Sequence, residues 1–227
     1  MNYVIILAGG SGTRTNWNRP KQFVEINGKP MILFTLEKFI DAGVDRIVVS
    51  CNKDWRIYLE NKIQEYNLRK KIVICDGGST GLASAYNGYL KIKSVCKNDD
   101  IIIFHDSCRP FINVKSIIDN IHVCTIYGNA MASVNCVETL AYFENNLCSH
   151  KQIPRDNLKR IMTPQSFKFK ELVNIFKSEE YILSRTEPSI FSLYLNQGNS
   201  IYCSSCNEMN FKITYADELD FFMNYFN

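Results

Sequence analysis

No run in the 227-residue chain approaches the ~20 consecutive apolar residues that a membrane-spanning helix requires, so a membrane protein is not expected. The N-terminal apolar run, Val4 to Leu7, is too short for the apolar region of a secretory signal, and glycines interrupt it at once. A cytoplasmic protein is the expectation. Charge of one sign is also scarce: the net charge of +3, without a lysine-arginine stripe, argues against a nucleic-acid binder. The three histidines (His105, His122 and His150) lie far in sequence from Cys203 and Cys206, the one close cysteine pair, so that pair lacks a zinc-site pattern and reads as loop cysteines. No repeat, low-complexity tract or linker breaks the chain, which favours one domain over residues 1–227. Cysteine itself is abundant: nine, an odd number, scattered through apparent strands and helices, as suits small buried hydrophobes in a reducing compartment.

The most informative stretch follows the first apolar run. Gly9-Gly10-Ser11-Gly12-Thr13-Arg14 places three glycines in four positions, where backbone N–H groups can approach an oxyanion with no Cβ between. Arg14 and Lys21, the latter in Pro20-Lys21-Gln22-Phe23, add the fixed positive charge that a polyphosphate needs. Neither familiar glycine pattern fits. The spacing Gly-x-x-x-x-Gly-Lys is missing, and Thr15 stands where the dinucleotide fingerprint wants its third glycine. A plain strand-to-helix turn is the alternative for the glycines alone; the basic residues beside them favour a nucleotide triphosphate cradle.

Strand-like and helix-like segments alternate in the manner of an α/β protein. The patterns predict strands at 46–51, 71–75, 100–105 and 130–137, and helices at 31–42 (ending at Gly43), 55–67, 83–95, 114–127, 167–176, 190–196 and 216–226. A short strand carrying one lysine is predicted over Asn210–Thr214. The glycine loop, Gly77-Gly78 and His105-Asp106 each end an apolar run, and in an open parallel sheet such ends converge on one ligand crevice. Residues 138–156 differ: polar, without helical period, with Tyr142-Phe143 and a turn-like Asn145-Asn146, they suit a hairpin leaving the sheet as an inter-subunit arm.

LAGGSGTR, PKQF, HDSCRPF, PRDNL, MTPQSF and NFKIT follow one another as they do in a known family. Through these motifs almost the whole chain resembles the cytidylyltransferases that activate methylerythritol phosphate and ribitol 5-phosphate. The resemblance implies a Rossmann-like, three-layer α/β domain with a mostly parallel sheet, dimeric through a protruding β-arm. It also implies a reaction that joins CTP to an alditol phosphate and releases pyrophosphate. Arg14, Lys21 and Lys212 would then be the catalytic cations, the first two on the triphosphate and Lys212 on the α-phosphate. Leu7, Ala8, Gly9, Gly10 and Gly12 would line the cytosine and phosphate pocket, with Gly77, Gly78 and Ser84 closing its base and ribose side. Asp106 would hold Mg²⁺, a hard cation suited to one carboxylate plus phosphate oxygens. Arg155, from the neighbouring subunit, and Thr186 would grip the phosphate of the alditol.

Each role has a plainer alternative: Asp106 as a cap or a partner of Arg109, Lys212 as an edge residue, Arg155 as a surface charge, Thr186 as a helix N-cap. His105 is expected to orient its loop rather than act as a base, because a phosphate monoester needs little deprotonation near neutral pH. The chain also departs from the family pattern. Gly81 stands in place of an arginine, Met162 in place of a glutamine, and Glu187 where aspartate is commoner. Met209 replaces an aspartate found in many methylerythritol enzymes, and Ser107-Cys108 is closer to the ribitol-phosphate branch.

Overall fold

The computed structural model describes residues 1–10, 19–68, 71–144 and 147–226. Its strands, in chain order, are β1 (Asn2–Ala8), β2 (Glu25–Ile26), β3 (Lys29–Pro30), β4 (Arg46–Cys51), β5 (Ile72–Asp76), β6 (Ile101–Asp106), β7 (Asn129–Asn135), β8 (Leu140–Tyr142), β9 (Lys151–Ile153), β10 (Lys159–Lys168) and β11 (Cys203–Ser205). Its helices are α1 (Met31–Asp41), α2 (Arg56–Glu65), α3 (Gly81–Ile92), α4 (Val114–Tyr127), α5 (Phe169–Ile175), α6 (Glu179–Leu183), α7 (Ile190–Asn196) and α8 (Ala216–Phe226). A 3₁₀ turn covers Lys21–Phe23.

Seven strands form one sheet in the order β11-β7-β10-β6-β1-β4-β5. β1 pairs in parallel with β4 and β6, and β4 with β5; only β10 runs antiparallel to its neighbours. Alternation along β1 builds both faces. Tyr3 and Ile5 join Leu82, Ala85, Tyr89 and Ile92 of α3 on one side. Val4, Ile6 and Ala8 join Leu33, Leu36 and Phe39 of α1, Leu59 and Ile63 of α2, and Ile117 of α4 on the other. A sheet covered by helices on both faces explains why the central strands read as unbroken apolar runs. Each fully buried aliphatic side chain contributes about 1.5–3 kcal/mol, so this double core is the main source of stability.

Helix ends follow local chemistry. The Thr80 hydroxyl accepts the Ala83 N–H at the start of α3, and the Asn113 side chain accepts the Ser116 N–H at the start of α4. α4 terminates at Gly128, whose φ of 91° is a left-handed cap that L side chains resist.

The expected elements are present with three corrections. Phe167 and Lys168 belong to β10, not to the following helix, and the strand itself lacks an apolar run. Its pairing with β7 shifts between Ile161 and Gln165, where Pro164 has no N–H to give the ladder. Asn210–Thr214 is an extended loop rather than a strand: Ile213 is buried and gives its N–H to the Cys108 carbonyl, but no ladder forms. The edge strand is instead β11, which includes Cys203 of the close cysteine pair. None of the nine cysteines, all of them described, is joined in a disulfide.

Within the 138–156 stretch, β8 pairs antiparallel with β9 in a two-stranded sheet separate from the main one. Asn145 and Asn146 lie outside the described residues. Among the described residues no helix is long and apolar enough to cross a membrane.

Candidate active site

The carboxyl ends of β1, β5 and β6 open onto one cavity of about 730 Å³. Its lining includes Leu7, Gly9, Gly10, Lys21, Gly78, Ser84, Asp106 and Lys212, which the sequence had assigned to a single site. Ala8 and Gly77 are not among the lining residues but adjoin Gly9 and Gly78 in the chain. A Cβ on Gly77 would sit 2.8 Å from the Gly9 Cα and 3.2 Å from the Cys51 carbonyl oxygen, so the β1 and β5 loops touch backbone to backbone. Gly78 is similarly confined: a Cβ there would come 2.4 Å from that of Ala83. The Ser84 hydroxyl accepts the Gly78 N–H at 2.9 Å and donates to the Thr80 carbonyl, so it shapes the loop from below.

Gly12 and Arg14 fall outside the described residues. Arg155 and Thr186 do not line the cavity of their own chain. Arg155 is exposed and donates to the Val137 carbonyl at the base of the hairpin, and Thr186 is exposed between the paired Arg185 and Glu187. Gly81 does line the cavity, and a Cβ there would come 3.7 Å from the Pro188 carbonyl oxygen, an ordinary contact.

Asp106 is the electrostatic centre. Its Oδ2 receives the Arg109 Nε at 2.9 Å and its Oδ1 the Lys212 Nζ at 3.1 Å. Burial alone would raise the Asp106 carboxyl, but the Lys212 ammonium and the Arg109 guanidinium outweigh it and hold the group far below the usual carboxylate range. The same carboxylate raises the Lys212 ammonium. Among the described lining residues Asp106 is the only acid, opposite three cations, Lys21, Arg109 and Lys212. A net positive cavity of this kind favours a polyanionic ligand.

Arg109 thus has the Asp106 pairing considered for it and a place in the cavity wall as well. Thr163, Gln22 and Asn210 were not assigned in advance. Thr163 Oγ1 accepts the Asp106 N–H at 3.1 Å, while the Thr163 carbonyl receives Asn210 Nδ2 at 2.7 Å. Asn210, fully buried, returns its own carbonyl to Arg109 Nη1 at 2.8 Å. This closed circuit joins the HDSCRPF, MTPQSF and NFKIT segments, whose order in the sequence was the signal available. Flanking packing holds Lys212 over Asp106: Phe211 lies 5.3 Å from Phe111 between ring centroids, and Ile213 is buried beneath the loop.

His105 is buried against the edge of Phe39, with Nε2 3.4 Å from the Arg109 carbonyl oxygen. Burial pushes its imidazole down to about 3, so it is neutral near pH 7. This environment agrees with a loop-orienting role and not with that of a base.

A family model for 2-C-methyl-D-erythritol 4-phosphate cytidylyltransferase matches residues 2–226. The chain is 33% identical over 227 residues to a ribitol-5-phosphate cytidylyltransferase of Lacticaseibacillus paracasei, covering 97% of this chain and 96% of the relative. It is 34% identical over 222 residues to a 2-C-methyl-D-erythritol 4-phosphate cytidylyltransferase of Thermosipho melanesiensis, covering 96% and 95%. Among solved structures, 2-C-methyl-D-erythritol 4-phosphate cytidylyltransferase of Francisella tularensis superimposes with a TM-score of 0.76 at 32% identity, over 99% of this chain and 98% of that one. With the sequence matched almost end to end and the fold shared, the protein is a nucleotidyltransferase that belongs to the 2-C-methyl-D-erythritol 4-phosphate cytidylyltransferase family.

Proposed function

We propose that the protein joins CTP to ribitol 5-phosphate, or to a closely related alditol phosphate, giving a CDP-alditol and pyrophosphate. The observation that carries the transfer chemistry is the placement of Lys212 on Asp106 in a cavity also lined by Lys21, Gly9 and Gly10. The alditol phosphate attacks the α-phosphorus of CTP in line and pyrophosphate departs. No covalent intermediate is required, so the protein's work is positioning and charge neutralisation. Lys21, only 8% exposed, holds the triphosphate and the departing pyrophosphate together with Arg14. Lys212 is 42% exposed at its side chain and held at Asp106 by charge, so it can turn to the α-phosphate as negative charge builds there.

The donor set fits magnesium as a companion of the nucleotide rather than as a fixed tenant. Asp106 offers one hard carboxylate, no second acid lines the cavity among the described residues, and the remaining ligands would be phosphate oxygens and water. Bound there, the ion would neutralise triphosphate charge, and Asp106 would exchange the Lys212 ammonium for it. In our reading a second copy of the chain completes the alditol site. The hairpin exposes Val137, Tyr142 and Phe143, and Arg155 stands at its base, away from the cavity of its own chain.

Ribitol 5-phosphate is favoured by the Lacticaseibacillus relative, by another so named from Vibrio parahaemolyticus at 32% identity, and by Ser107-Cys108 and Met209 in this chain. The second reading, methylerythritol phosphate, draws on the Thermosipho relative. Pyrophosphate release measured with CTP, Mg²⁺ and ribitol, arabinitol, glycerol or methylerythritol phosphate separates them. Highest kcat/KM with ribitol 5-phosphate is expected. Preference for methylerythritol phosphate would replace the first reading with the second, and silence with all four while CTP binds would remove both.

A further inference from the structure

The side chain of Gln22 has no part in the roles above, although it lines the cavity and is only 3% exposed. Its Nε2 lies 3.1 Å from the carbonyl oxygen of Ala8 and 2.7 Å from that of Gly10. One amide nitrogen has two N–H groups, and both are committed to carbonyls that bracket Gly9. These carbonyls stand at the end of β1 on either side of Gly9, and Gly9 and Gly10 line a cavity that the three cations make attractive to a polyanion. The Ala8 carbonyl also receives the Asn52 N–H at 3.3 Å, so the Gly10 carbonyl is the one that leans most on Gln22; with one donor fewer it would repel the ligand's phosphates.

Gln22 also follows Lys21 in the same 3₁₀ turn. That turn is fixed from behind by Phe23, whose ring stacks on Trp55 at a centroid distance of 5.1 Å and meets Tyr58 edge-on at 5.7 Å. A single side chain therefore ties the mouth of the glycine loop to a rigid turn that carries a catalytic cation. From this geometry we infer that Gln22 is a positioning residue for the polyphosphate of the nucleotide. It satisfies the Ala8 and Gly10 carbonyls and sets the distance between the loop backbone and Lys21. The Ala8–Gly10 backbone is then held in place before the ligand arrives, so binding does not have to supply that ordering.

The inference rests on the triphosphate reading of the cavity and is testable apart from the alditol. Two variants separate donation from packing. Gln22→Glu keeps the shape but places a carboxylate beside two carbonyls, and Gln22→Met keeps the volume without any donor. Titration calorimetry with CTP and with inorganic tripolyphosphate should show at least tenfold weaker binding in both variants, Gln22→Glu being the weaker. In steady-state assays KM for CTP should rise while KM for the alditol phosphate stays within twofold. Binding of both ligands within twofold of wild type would overturn the assignment. So would variants that unfold, or that lose CTP and alditol phosphate alike, since Gln22 would then be a core amide. A wild-type protein that binds tripolyphosphate but releases no pyrophosphate would count against the proposed activity, while the tripolyphosphate comparison would still decide the role of Gln22.

Discussion

Asp106 shows how single residues acquire function from their surroundings. A carboxylate at the end of a buried strand would be costly alone, and here two cations hold it ionised. Lys212→Ala should lower kcat by about 10²–10³, or about 2.7–4 kcal/mol, the size expected for removing one charged transition-state donor. CTP affinity should change far less, because Lys21 and the loop remain; equal losses in CTP affinity and kcat would place Lys212 in ground-state binding. His105 makes a separate prediction. Its folded-state value of about 3 lies below the ordinary 6.5, so between those limits the unfolded chain binds a proton that the folded chain does not. Its contribution to stability is complete above pH 6.5 and is lost as pH falls toward 3, with a slope of up to about 1.4 kcal/mol per pH unit. Urea unfolding at pH 7 and pH 5 should show this slope in the wild type and a shallower one in His105→Asn.

Among the elements, those built from hydrophobic periodicity were legible in the chain. β1, β4 and β6 are apolar runs because both faces of the sheet are covered there, and α4 runs from Val114 to Tyr127 as its period and its Asn113 cap indicate. β10 was hidden because Thr163, Pro164, Gln165 and Ser166 are buried through hydrogen bonding and sheet pairing, which leave no apolar pattern. Phe211 and Ile213 alternate like a strand, yet tertiary packing on Phe111 and one bond to Cys108 hold them instead. The site was legible where glycines or a strand end marked it, and illegible at Thr163, Gln22 and Asn210, whose roles exist only through distant partners. At the junction of the β1 and β5 loops, Gly77→Ala should cost about 1–3 kcal/mol through overpacking against the Gly9 backbone. Thermal unfolding would register the loss; an unchanged midpoint would mean that the two loops separate freely.

For the whole molecule, sheet order gathers chemistry from distant parts of the chain. Lys212 meets Asp106 although 106 residues separate them. Tyr142 and Phe143, at and beside the β8–β9 pair, are about half exposed, and in the proposed dimer they would be buried against another copy. Phe143→Asp should therefore shift sedimentation velocity toward the monomer and raise KM for the alditol phosphate more than for CTP. A dimer that persists with normal kinetics would detach the hairpin from the site. The central claim is transfer at the α-phosphorus of CTP, and phosphorus-31 NMR of CTP, Mg²⁺ and ribitol 5-phosphate with the enzyme tests it most directly. The account predicts that pyrophosphate appears together with the two coupled resonances of a CDP-alditol, and that the rate drops 10²–10³-fold in Lys212→Ala. Release of orthophosphate instead, or CTP that binds and stays intact with every alditol phosphate supplied, would contradict it.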